Sequence, residues 1–243
     1  TGTVVVTGGR LEMPNAYVGL FGNGRLFISN GVVQCAGTAL IGSQDGSQGS
    51  LIAAGGVSSF GGMQIRESPL SSGSVLVAGN AQVQVNGPLD NRGSVSVAGG
   101  SLNVLGLLES EQPGNSISVT GGQFAATNDN AMLTSISVSN GTFLARDIFL
   151  GNQKVGNFTL AAGVVALAGS FNGFNIGVNG GTGVVSQTGG QIIASNTDLN
   201  IGGLFGPATG LLSISNGAAF VQNVFVGGQG GGTGAVVMVG GSL

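Results

Sequence analysis

Between Thr134 and Gly151 the chain alternates in a way that recurs along its length. Ile136 and Val138 are apolar and two apart, with Ser135, Ser137 and Ser139 around them; Asn140-Gly141 follows, Phe143 and Ala145 repeat the spacing, and Ile148-Phe149-Leu150 ends at Gly151. A period of two predicts strands with one buried and one solvated face. The stretch therefore predicts three short strands, with a small-residue corner after the first and a glycine stop after the third. One such unit cannot bury its own apolar side.

Units of this kind begin at Gly2, Gly24, Gly49, Gly73, Gly93, Asn115, Thr134, Gly156, Gly183, Gly210 and Gly234, at intervals of 19 to 27 residues. A period of this size built from β-type runs marks a solenoid, in which stacked turns share a core that none could form alone. The first strands carry inward pairs such as Val4 and Val6, Leu26 and Ile28, Val75 and Val77, Phe158 and Leu160, and Val236 and Met238. Corners follow at Gly8-Gly9, Asn30-Gly31, Gly55-Gly56, Gly99-Gly100, Gly121-Gly122, Asn140-Gly141, Gly189-Gly190, Asn216-Gly217 and Gly240-Gly241, where a sharp bend favours residues that accept positive φ. Second strands place Leu11 and Met13, Val33 and Cys35, or Ile192 and Ala194 inward, and third strands close on Gly42, Gly151, Gly177, Gly202 and Gly227. Parallel crossovers favour right-handed winding. The expected fold is all-β: a right-handed parallel β-helix, or β-solenoid, of about eleven rungs of three short strands, forming a single domain over residues 1–243.

Composition narrows the function classes. Fifty glycines without a Gly-X-Y period exclude collagen, and 42% hydrophobic residues are too many for a disordered glycine-rich linker. With 6% charged residues and a net charge of −3 there is no basic stripe for phosphates, so no nucleic-acid partner is expected. No apolar run is long enough for a spanning helix; the nearest, Phe158 to Phe171, is broken by Thr159, Gly163, Gly169 and Ser170. A single tyrosine and no tryptophan argue against the aromatic girdles of a membrane barrel.

Histidine is absent, which removes Ser-His, Cys-His and histidine-metal chemistry; no catalytic residue, metal ligand or cofactor is expected. Cys35 falls where other rungs carry Ala, Val or Met and reads as a small buried hydrophobe. The run Gly227-Gly228-Gln229-Gly230-Gly231-Gly232 lacks the Lys-Ser/Thr of a phosphate loop and the aspartate of a calcium-binding repeat, and reads as a turn. Regular threonine ladders of the ice-binding kind are missing from the pattern. One charge constellation stands out: Arg66 and Glu67, Asp90 and Arg92, and Glu109 and Glu111 lie at similar offsets in rungs three to five. Stacking would bring them to one edge, either as a cation or sugar site or as a solvated edge of compensating charges.

The string Ile/Leu-Gly, a short Gly/Asn loop, then Gly-x-Leu/Val-x-Val-Ser/Thr-Asn/Gly-Gly recurs at Ile41-Gly42 to Gly56, Leu150-Gly151 to Gly163 and Ile201-Gly202 to Gly217. It resembles the autotransporter-associated β-strand repeats of bacterial passenger and adhesin-like surface proteins, and the resemblance runs over essentially the whole chain. It implies an exported protein, extracellular or at the cell surface, built as a β-helical stalk. Neither Thr1 nor Leu243 is preceded or followed by a polar or helical cap within the sequence. Self-association through the terminal rungs into a homopolymer, or coverage by further repeats of the same chain, is expected. The expected function is an extracellular structural rod, forming a filament or adhesin stalk, and not an enzyme. The alternative is a carbohydrate-active β-helix enzyme or glycan-binding module using the charged edge, with a surface glycan as partner.

Overall fold

The computed structural model describes residues 1–169, 172–203, 205–228 and 231–243. Gln229 and Gly230 of the glycine-rich run, and Ser170 and Phe171 at the end of the apolar run from Phe158, lie outside the described residues. The fold is all-β, a parallel β-solenoid of about ten turns, with no helix among the described residues. Residues group into two compact units, Thr1–Ala125 and Ala126–Leu243.

In the first unit the strands are β1 (Gly2–Val6), β2 (Arg10–Met13), β3 (Ala16–Val18), β4 (Asn23–Ile28), β5 (Val32–Ile41), β6 (Gln48–Ala53), β7 (Val57–Ile65), β8 (Ser72–Val77), β9 (Gln82–Val85), β10 (Leu89–Asn91), β11 (Ser94–Val104), β12 (Leu108–Ser110) and the opening part of β13 (Ser116–Leu133). First strands stack as β1-β4-β6-β8-β11-β13, all parallel, with Gly2 over Gly24, Gly24 over Gly49 and Gly49 over Gly73. Second strands stack as β2-β5-β7-β9-β11-β13 and third strands as β3-β5-β7-β10-β12.

The second unit repeats the scheme with β14 (Ser135–Val138), β15 (Thr142–Asn152), β16 (Val155–Leu160), β17 (Val164–Leu167), β18 (Phe174–Val178), β19 (Thr182–Gln187), β20 (Gln191–Ile201), β21 (Thr209–Ile214), β22 (Ala218–Val226) and β23 (Thr233–Met238). Its first strands stack as β14-β16-β19-β21-β23 in unbroken parallel register.

The inward columns are the apolar pairs expected from the alternation. Ile28, Ala53, Val77, Val97 and Val119 are buried in the first unit, and Ile136, Phe158, Val185 and Leu212 in the second. Phe158 also meets the edge of Phe143, at 6.4 Å between ring centroids, and the tilted ring of Phe174 at 5.5 Å. Each buried side chain of this size contributes about 1.5–3 kcal/mol before chain entropy is subtracted.

Two expectations need correction. The terminal turns do not bury their pairs: Val6 is 7% exposed but Val4 is 51% exposed, and Met238 is 46% exposed. Each of these strands has a neighbour on one side only, so alternation aims the side chain inward without covering it. The three strands of a rung are also not always separate. Second and third strands merge in β5, β7, β15 and β20, and β11 joins a first strand to a second, because pairing continues through the corner with a register shift, as between Cys35 and Thr38.

The corners show why glycine dominates. In all nine corners named above the second residue is glycine with φ between 66° and 96°. A Cβ on Gly31 would lie 2.7 Å from the Gly9 carbonyl oxygen, and one on Gly190 would lie 2.6 Å from that of Gly163. These carbonyls accept the rung-to-rung hydrogen bonds from Val32 and Gln191, both at 2.9 Å. A side chain there would wedge adjacent turns apart. The turn-closing glycines also have positive φ, and Arg66, at φ 60°, stands in their column: its N–H donates to the Ile41 carbonyl as that of Gly42 donates to Val18.

Candidate functional site

The charged edge lies in the first unit, where β7, β10 and β12 stack. In register, Gln64, Asp90 and Glu109 form one outward column. Arg66 follows β7, Arg92 follows β10 and Glu111 follows β12, which makes a second column beside it. Adjacent members of such columns are about 4.8 Å apart along the stack.

The side chains within these columns divide into separate pairings. Arg92 makes an ion pair with Asp90, its Nη2 2.9 Å from Oδ2 and its Nε 3.0 Å from the same oxygen, and Gln64 Nε2 reaches Oδ2 at 3.4 Å. The Glu67 carboxylate turns the other way and accepts from the Ser43 hydroxyl. Arg66 crosses to the loop beyond β12, donating to the Pro113 carbonyl at 3.3 Å. The structure thus brings Asp90 and Arg92 together and sets Glu109 beside them, while Glu67 and Arg66 serve neighbouring loops. Chemically the edge offers one neutralised carboxylate with amide and carboxylate neighbours. Among the described residues no group of three His, Cys, Asp or Glu side chains is placed to hold a metal ion.

A second charged cluster lies in the second unit and was not singled out from the sequence. Asp147, only 2% exposed as a residue, accepts from the Gly173 N–H at 2.8 Å and the Asn172 N–H at 3.3 Å, and its other oxygen is 3.2 Å from Arg146 Nε. Arg146 also donates to the Asn128 carbonyl at 3.0 Å and to Asn130 Oδ1 at 2.6 Å. This buried carboxylate ties the backbone at Asn172 and Gly173 to β15. The signal in the sequence was a lone charged pair inside an apolar strand.

Two hydroxyl columns are built mainly from serine, which the threonine ladder expected of an ice-binding face does not cover. Ser50, Ser74, Ser94 and Ser116 align on the outer face of the first unit, with Ser74 Oγ 3.3 Å from Ser50 Oγ. Ser137, Thr159, Ser186 and Ser213 align on that of the second.

Cys35 is buried, as its inward position implies, with its thiol directed to the carbonyls of Pro14 and Gly37. Desolvation pushes the thiol above its ordinary pKa, against the smaller lowering influence of backbone hydrogen bonds from Gly37 and Ala16. No helix among the described residues is long and apolar enough to cross a membrane. Comparison with protein-family models, with curated proteins and with solved structures finds no match for the chain.

Proposed function

We propose that the chain is an extracellular structural protein, a β-solenoid rod whose terminal turns stack on further turns of the same kind to build a surface or secreted filament or adhesin stalk. The observation that carries this reading is the apolar surface left open on both terminal turns. On the first, Val4, Tyr17 and Phe21 are exposed around a hollow of about 710 Å³ that also reaches Leu11, Met13 and Leu26, and Val5 is exposed as well. On the last, Val224, Phe225 and Val226 of β22 and Val237, Met238 and Val239 at the end of β23 are exposed. Open strand edges rimmed by such residues favour association, and solenoids ordinarily cover them.

A turn of the same sequence type fits either end. Stacking aligns glycine with glycine and apolar pair with apolar pair, as in Gly210 over Gly234, Leu212 over Val236 and Ile214 over Met238. Another copy, or further turns of the same polypeptide, would continue these columns. A head-to-tail contact that does not close grows a filament. The resemblance to autotransporter-associated repeats supports a surface or secreted location. Asp90 is neutralised by Arg92 and Glu67 is held by Ser43, which supports a structural role for this edge.

Electron microscopy and sedimentation of purified protein test the proposal. Wild-type protein should form filaments or end-to-end oligomers, and Val239→Asp together with Val237→Asp should leave monomers with little change in melting temperature, because both side chains are exposed. Monodisperse wild-type particles at high concentration would refute it.

A further inference from the structure

The first unit contains a notch that borders the charged edge, sharing Gln64 and Asp90 with it, and that the end-to-end reading does not account for. It lies at the corner between second and third strands. Pairing fixes Cys35 opposite Phe60 and Ala39 opposite Met63, then Phe60 opposite Val85 and Met63 opposite Leu89. Between these anchors β5 has Ala36, Gly37 and Thr38, and the next-but-one turn has Asn86, Gly87 and Pro88, whereas the turn between them has only Gly61 and Gly62. A corner one residue shorter than both neighbours recedes. The result is an open hollow of about 490 Å³ with Gly61 and Gly62 as its floor, Thr38 and Pro88 as its ends, and Gln64 and Asp90 on its rim.

Gly62 is the telling residue. Gly61 has no choice, because a Cβ there would run into the Ala36 carbonyl. At Gly62 the nearest atoms to a Cβ would be Pro88 O at 3.5 Å, Thr38 Oγ1 at 3.6 Å and Pro88 Cδ at 3.8 Å, which is ordinary contact, and its φ is not positive. The backbone therefore does not require glycine here. A side chain would simply fill the notch.

At Ala36 this hollow meets another of about 440 Å³, lined by Glu12, Gln34, Ser59 and Asn86. Its polar groups are already positioned: Asn86 Nδ2 donates to Ser59 Oγ at 3.0 Å, and Gln34 Oε1 accepts from Arg10 at 2.6 Å. Together the hollows form an extended, shallow surface of amides, hydroxyls and carboxylates over a glycine floor.

We propose that this surface is a binding site for a neutral saccharide chain. Hydroxyl-rich ligands exchange hydrogen bonds with amides, hydroxyls and carboxylates alike, and Pro88 and Met13 supply apolar contact for ring CH groups. Glu12 and Asp90 are each paired with an arginine, Arg10 and Arg92, so the surface offers hydrogen-bonding groups without a net charge, which suits a neutral chain over an anionic one. The strands flanking the notch are paired on both sides, so no free edge is left there for an extended peptide to add to.

The test is calorimetry and ligand-observed NMR on monomeric protein, so that failure of end-to-end assembly leaves it intact. The probes are neutral hexasaccharides of β-1,4-linked glucose, β-1,4-linked N-acetylglucosamine and α-1,4-linked glucose, with a hexagalacturonate as the anionic comparison. At least one neutral probe should bind and the anionic one should not. Gly62→Thr should weaken binding by at least about tenfold with no loss of melting temperature, and Gln64→Ala, on the rim, should weaken it as well. Absence of binding by every neutral probe, stronger binding of the anionic one, or affinity unaltered by both substitutions would overturn the proposal.

Discussion

Three glycine-to-alanine substitutions separate the reasons for which glycine is present. Gly190 has φ 67°, and a Cβ on it would lie 2.6 Å from the Gly163 carbonyl oxygen. Gly46 has nearly the same backbone, φ 73°, but nothing within 4 Å of the added carbon. Gly62 has neither a positive φ nor a close neighbour. Placing alanine in a left-handed conformation costs about 1–2 kcal/mol, and that should be nearly the whole effect at Gly46. At Gly190 the clash adds about 1–3 kcal/mol of overpacking strain. Lifting one turn off the next also weakens the bond from Gln191 N–H to Gly163, another ~1 kcal/mol. The expected loss at Gly190 is therefore about 3–6 kcal/mol. At Gly62 alanine should be neutral or stabilising by up to about 1 kcal/mol through the unfolded chain.

Urea denaturation of the three variants beside wild type, at matched slope, measures these differences. The order expected is Gly190→Ala far below Gly46→Ala, with Gly62→Ala at or above wild type. If Gly190→Ala lost no more than Gly46→Ala, direct stacking of corners would not be what demands glycine, and the account of the turn-to-turn contact would fail.

Ser58 sits in the inward column between Val33 and Val83, and its hydroxyl has no hydrogen-bond partner among the described residues; Ser58→Val should raise stability by about 1–2 kcal/mol, read as a higher melting temperature, and a lower one would contradict the assignment. Asp147→Ala should cost about 2–4 kcal/mol and speed hydrogen exchange at Gly173 and Asn172, whose N–H groups lose their acceptor. Burial raises the Cys35 thiol above its ordinary 9.0, so the folded state holds this proton more tightly than the unfolded chain. That contribution to stability is complete below the unfolded pKa and is lost as pH rises through the folded one, so wild type should lose stability relative to Cys35→Ala as pH is raised past the thiol's ordinary value; parallel curves would refute the burial effect.

The period, the corners and the inward columns were legible because each rests on a local rule that the stack then repeats. Alternation fixes which way Ile136 and Val138 face, and a bend with a carbonyl directly beneath it admits little besides glycine. What the sequence hid depends on the neighbouring turn. Gln187 occupies an inward position between Leu160 and Ile214, where a polar residue looks wrong, yet its amide donates to the carbonyls of Gly190 and Ala218. Arg66 stands where other turns place glycine. The offsets of Asp90 and Glu109 correctly made them neighbours, but nothing in the spacing showed that Glu67 would turn to Ser43 while Arg92 turned to Asp90. Pairing of long side chains is decided by a few ångströms of loop, and the loops are where the period varies.

That division also bears on where function can reside. Inward columns and corner glycines are fixed by the need to stack, so a change there affects stability first. Outward columns meet no such demand, and they differ from turn to turn: serines run through one face, while amides and carboxylates gather beside the short corner at Gly61 and Gly62. The corner is the informative case, because losing one residue leaves the paired anchors Phe60 and Met63 in register and alters only the surface between them. A solenoid can therefore acquire a recess without disturbing its core. Gly62, whose glycine the backbone does not require, is the position where a change should separate binding from folding.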